Sequence, residues 1–145
     1  MANRLQLDVR SLGLNFRPPA NAGVLPDGRN WVWFIAFFGT PKLVWTEMGS
    51  SISTPLDIPL EAARLPAVDP DAVAYICGRS IPQPDEFAKL LCQAWRADGS
   101  RAWEVTLMRE LDLYGVQPPL ISGGALAGKT LYVSTGSGTL FALGE

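Results

Sequence analysis

Residues 123–130 read Gly-Gly-Ala-Leu-Ala-Gly-Lys-Thr, which satisfies the Gly-x-x-x-x-Gly-Lys-Thr spacing of a phosphate-binding loop. In such a loop, backbone amides cradle phosphates, the lysine reaches the terminal phosphates and the hydroxyl holds magnesium. Here those roles would fall to Lys129 and Thr130. The chemistry also needs a preceding strand and a following helix whose first amides face the anion. The next residues, Leu-Tyr-Val-Ser-Thr-Gly-Ser-Gly, are β-rich. On the N-terminal side, Pro-Pro-Leu-Ile-Ser is a poor buried parallel strand. The segment is therefore expected as a glycine-rich connection between antiparallel strands, with nucleotide hydrolysis through Lys129 as the alternative.

Other chemistry-bearing residues are sparse. Asp69 and Asp71, in Val-Asp-Pro-Asp-Ala, offer two carboxylates for calcium together with loop carbonyls. Asp-Pro-Asp is also a common turn, and a solvated turn is the expectation. Glu47 and Glu104 come after tryptophans and are expected on the solvent side of strands. The chain has no histidine. A Ser-His-Asp triad, a Cys-His dyad and an imidazole metal site are thereby excluded within it. Two cysteines, Cys77 and Cys92, form neither a disulfide framework nor a zinc site. Buried reduced thiols are expected, a cross-strand disulfide being the lesser reading. No catalytic residue and no metal ligand is assigned, no cofactor is expected, and any cofactor-binding residue is left open.

The whole chain sets further limits. Its 145 residues suffice for one domain with a core. It is 48% hydrophobic and 18% charged with net charge -2, an ordinary globular balance. So little positive charge argues against nucleic acid as a partner. The longest apolar run, Trp31 to Phe38, is too short to span a bilayer. The opening Met-Ala-Asn-Arg-Leu-Gln-Leu-Asp-Val-Arg lacks the apolar centre of a signal peptide, so a native start here predicts a cytoplasmic protein.

The elements that must position these residues read as strands. Residues 30–38, 42–48, 72–78, 101–107, 130–136 and 139–143 are β-branched or aromatic runs between Pro and Gly punctuation. Residues 60–65, Leu-Glu-Ala-Ala-Arg-Leu, suit one or two helical turns between prolines. Residues 85–95 mix helix formers with a strand pattern, and strand is preferred from Lys89 onward. Between Thr135 and Gly138, Gly136 and Ser137 fit a tight hairpin turn. The fold class is all-β and antiparallel.

A repeat narrows it. Pro-containing segments recur at 17–20, 53–56 and 117–120, each succeeded by a spacer and a strand. Tryptophan strands holding Trp45 and Trp103 precede the second and third. Pro19 and Pro55 lie 36 residues apart, Pro55 and Pro119 lie 64 apart, and the surplus falls in 57–71 and 79–87, expected as loops. The units lie near 17–52, 53–116 and 117–145.

Two stretches of this pattern resemble the pyrroloquinoline-quinone-like β-propeller repeat. Tyr132, Gly136, Gly138, Leu140, Ala142 and Leu143 match its aromatic, Gly-Thr and Gly-x-Leu-x-Ala-Leu positions. Ala94, Asp98, Gly99 and Trp103 resemble its Ala-x-Asp…Gly-x-x-x-Trp element, with one residue fewer before the glycine. The resemblance implies a partial propeller of about three blades, with Trp45 and Trp103 as wedges and Ala94 and Ala142 letting sheets approach. Three blades do not close a ring, so part of a larger propeller or a self-assembling protomer is expected, with a small open or barrel-like β domain as the alternative. Residues 4–10 alternate and suit a strand that completes the last unit. The implied function is a non-catalytic binding or scaffold module. It would contact a protein partner or its own copies through loops 57–71, 79–87 and 108–117. A quinoprotein dehydrogenase fragment is a further alternative; the vicinal cysteine pair that those enzymes share is absent.

Overall fold

The computed structural model describes residues 21–24, 27–38, 40–47, 53–81, 83–84, 86–108 and 118–144. Among these the chain is all-β, antiparallel and without helix. Eleven strands run in order: β1 Asn21–Val24, β2 Asn30–Phe38, β3 Thr40–Glu47, β4 Ser53–Asp57, β5 Leu60–Val68, β6 Ala74–Ser80, β7 Leu90–Trp95, β8 Arg101–Met108, β9 Ile121–Ala127, β10 Thr130–Thr135 and β11 Leu140–Leu143. They form three meandering sheets, β1-β2-β3-β4, β5-β6-β7-β8 and β9-β10-β11. Residues 4–10 and 109–117 lie outside the described residues, as do 17–20.

Every strand expected from the sequence between residues 30 and 143 is present, with two additions that carry the packing. Leu60–Val68 is a strand rather than a helical turn, and it replaces most of the loop expected over 57–71. Its helix-forming residues are overridden because both faces find apolar partners. Its pairing with β6 slips at two places, and Ala62 takes φ 49°. Residues 121–127 form β9, paired along β10, in place of the expected connection. Ser53–Asp57 hydrogen-bonds to β3, so pairing groups it with the strands before it rather than with those after.

The sheets stack face to face, with the second in the middle. On one side Trp33 and Leu43 of the first sheet meet Leu60, Ala74, Ile76 and Leu91. On the other, Cys77, Leu90 and Cys92 meet Ile121, Leu131 and Val133. Alternate residues of β6 and β7 thus serve opposite cores, so Ala74, Ile76, Cys77, Leu90, Cys92 and Ala94 are all fully buried. Gly124 brings the third sheet close. A Cβ there would lie 2.6 Å from Cβ of Pro66 and 2.7 Å from the Tyr132 carbonyl.

Among the described side chains, the wedge between the first two sheets is Trp33. Its buried indole donates to the Ala72 carbonyl at 2.8 Å. Trp103 stands on the outer strand β8, 37% exposed. For Trp45 only its backbone position is described, opposite Trp33.

Three turns share one construction. In Asp69–Val73, Arg96–Ser100 and Thr135–Thr139 the first amide donates to the last carbonyl, and the fourth amide returns to the first carbonyl, all at 2.9–3.0 Å. The fourth residue is left-handed: Ala72 at φ 62°, Gly99 at 85° and Gly138 at 87°. The positive φ of the last hairpin therefore falls on Gly138, not on the expected Gly136 and Ser137. The three-residue loop puts the left-handed step last.

Cys77 and Cys92 face each other across β6 and β7 with Cα atoms 4.1 Å apart, and they are joined by a disulfide. This corrects the expectation of reduced thiols. Register places the two side chains opposite each other on one face, a relation that spacing alone does not reveal.

Candidate functional site

A cleft of about 770 Å³ opens between the second and third sheets. Its walls come from the Asp69–Val73 turn, from Tyr75 on β6, from Trp103 on β8, and from the β9–β10 turn that carries Lys129. Each wall has a local cause. Asp69 organises its own turn: Oδ1 accepts the amides of Asp71 and Val73, both at 2.9 Å. Its Oδ2 accepts the Tyr75 hydroxyl at 3.1 Å. An aspartate at the start of a turn commonly satisfies backbone amides in this way.

Tyr75 is consequently held as a neutral donor. Burial, followed by the charge and hydrogen bond of Asp69, pushes its hydroxyl from 10.0 up to about 12. Its ring meets Trp103 at 5.8 Å between centroids with planes inclined by 42°. The pair forms an open aromatic corner rather than a closed stack. Alternation along β8 puts Trp103 and Val105 on this side and Glu104 on the other.

Glu104 is not simply a solvent-side residue. Its Oε2 accepts from Gln93 at 2.7 Å and from Arg101 at 2.8 Å. Gln93 is fully buried, and its carbonyl accepts the Trp95 indole at 3.0 Å. This network satisfies both ends of a buried amide, as burial demands. Glu47 is described only by its backbone, opposite Trp31.

The other sequence candidates are placed plainly. Asp69 and Asp71 share a turn, and Asp69 already accepts three hydrogen bonds. Among the described residues no group of three metal-ligating side chains comes together. Gly128 and Lys129 form the two-residue turn between Ala127 and Thr130, with Gly128 at φ 58°. The strand β10 begins at once, so no helix N-terminus stands where a phosphate loop needs one. Neither Asp71 nor Lys129 has a side-chain partner among the described residues. Sequence reasoning missed Trp33, Tyr75 and Gln93. Trp33 sits in the alternating run 30–38, and Tyr75 precedes Cys77 by two residues, so both shared a visible strand period. Gln93 gave no signal.

Comparison with family models, with curated proteins and with solved structures finds no match for the chain.

Proposed function

We propose that the chain is a β-propeller-type scaffold module, a partial propeller of about three blades, that binds by stacking a further sheet on its third. Three features of the fold support the reading. Each sheet is a sequential meander, as blades are. The first strand of the middle sheet, β5, approaches both β1 and β9, as a strand near a common axis does. The carrying observation concerns equivalent faces. On the second sheet, Tyr75 pairs with Ala94 and Cys77 with Cys92, and this face packs on the third sheet. On the third sheet, Tyr132 pairs with Ala142 and Ser134 with Leu140 in the same pattern. That face is open, with Tyr132 38% and Leu140 65% exposed.

An apolar face of this kind, matching one that is covered in the same molecule, favours self-association or a protein partner. The Cys77–Cys92 bond supports an oxidising compartment over the cytoplasmic expectation. The proposed occupant of the open face is the first sheet of a second copy. Light scattering across a concentration series tests it. The wild type should gain mass with concentration, and Leu140→Lys with Tyr132→Lys should remain monomeric. A wild type that stays monomeric throughout defeats the proposal.

A further inference from the structure

The cleft between the second and third sheets lies within one chain, so what it binds does not depend on any further sheet. Its volume, about 770 Å³, falls within the roughly 300–1,000 Å³ of small-molecule sites. Its most exposed aromatic is Trp103, whose ring centroid lies 5.8 Å from that of Tyr75 with the planes inclined by 42°. Ring faces carry negative quadrupole charge and attract cations. The Tyr75 hydroxyl donates to Asp69, which enriches its ring further.

The charges around the corner sort the occupant. Asp69 and Asp71 stand beside Tyr75, and Asp71 has no side-chain partner among the described residues. Glu104 is matched by Arg101 at 2.8 Å. Lys129 on the opposite turn is the sole cation among the described residues of the lining. An anion would meet two carboxylates. A primary ammonium would bring three N–H donors, while Asp69 already accepts three hydrogen bonds. Asp71 and the one remaining lone pair of Asp69 Oδ2 would be left for it. An alkylated ammonium has few or no N–H groups and needs only ring faces and nearby negative charge.

We infer that this cleft binds a small organic cation of choline size through its alkylated ammonium group, seated against the rings of Tyr75 and Trp103 and facing Asp71. Lys129 opposes the cation and limits its affinity.

The test is titration with choline chloride at constant ionic strength, monitored by tryptophan fluorescence and calorimetry. The neutral isostere 3,3-dimethylbutan-1-ol is run in parallel. Choline should bind saturably and the alcohol should not. Trp103→Ala should weaken choline roughly three- to tenfold, the loss of one cation–π contact. Lys129→Gln, on an exposed turn, should tighten it roughly twofold by removing a screened like charge. Asp71→Asn should weaken it. Equal binding of the alcohol, or no choline binding by either wild type or Lys129→Gln, overturns the inference.

Discussion

Replacing Trp33 by phenylalanine separates a true inter-sheet wedge from a tryptophan that merely fills space. The side chain is fully buried, and its Nε1 donates to the Ala72 carbonyl at 2.8 Å. Phenylalanine keeps an aromatic ring but removes the donor. The Ala72 carbonyl is then left without this partner in a buried turn, at a cost of about 1–3 kcal/mol. The smaller ring leaves a void of about 30 Å³, which at about 24 cal/mol per Å³ adds about 0.7 kcal/mol. Against this, Ala72 is held left-handed at φ 62°. A released turn can relax and recover up to about 1–2 kcal/mol. The three terms together centre on a loss of about 2 kcal/mol. Urea denaturation measures it as a lower midpoint with an unchanged slope. Trp103→Phe on the exposed edge strand is the control and should change stability by less than about 1 kcal/mol. If Trp33→Phe costs no more than Trp103→Phe, the wedge assignment is wrong.

The same contacts set three further expectations. Gly124→Ala forces a methyl group to 2.6 Å from Pro66, whereas at Gly123 the nearest atom is Ser134 Oγ at 3.7 Å. The first change should destabilise by about 1–3 kcal/mol through overpacking, and the second by clearly less, in paired urea melts. Reducing the Cys77–Cys92 bond, whose ends are 15 residues apart, should cost about 3 kcal/mol. Melts with and without reductant read it, and a Cys77→Ala, Cys92→Ala variant should show no response. Tyr75 keeps its proton in the fold up to about 12, against 10.0 ordinarily. Its stabilising contribution is complete below pH 10 and drains as pH rises toward 12, because the unfolded chain ionises first. Tyr75→Phe should therefore lose less stability than wild type between pH 10 and 12.

The strands legible in the sequence are those in which one period dominates. Asn30–Phe38 and Arg101–Met108 carry aromatic or β-branched residues between clear turn signals, and they form as expected; Leu90–Trp95, where helix formers mix with a strand pattern, also forms the preferred strand. Leu60–Val68 is hidden because Leu-Glu-Ala-Ala-Arg-Leu favours helix locally and because two register slips break its alternation. Only its position between two cores makes it a strand. Ile121–Ala127 is hidden for another reason: its glycines are poor strand formers, and Gly124 is there for close approach to Pro66. The cleft is less legible still. Asp69 reads as a turn residue, and it is one, but its second oxygen reaches Tyr75 six residues on, a contact created by the turn itself. Trp103 and Tyr75 are 28 positions apart, and the pairing of β6, β7 and β8 alone brings them together.

The claim beneath all of this is that the second sheet is covered on both faces, and amide hydrogen exchange tests it strand by strand. Ala74–Ser80 and Leu90–Trp95 should exchange slowest in the molecule, with the outermost strand Leu140–Leu143 of the third sheet exchanging much faster. Exchange in β6 and β7 as rapid as in Leu140–Leu143 would contradict the stacked arrangement outright.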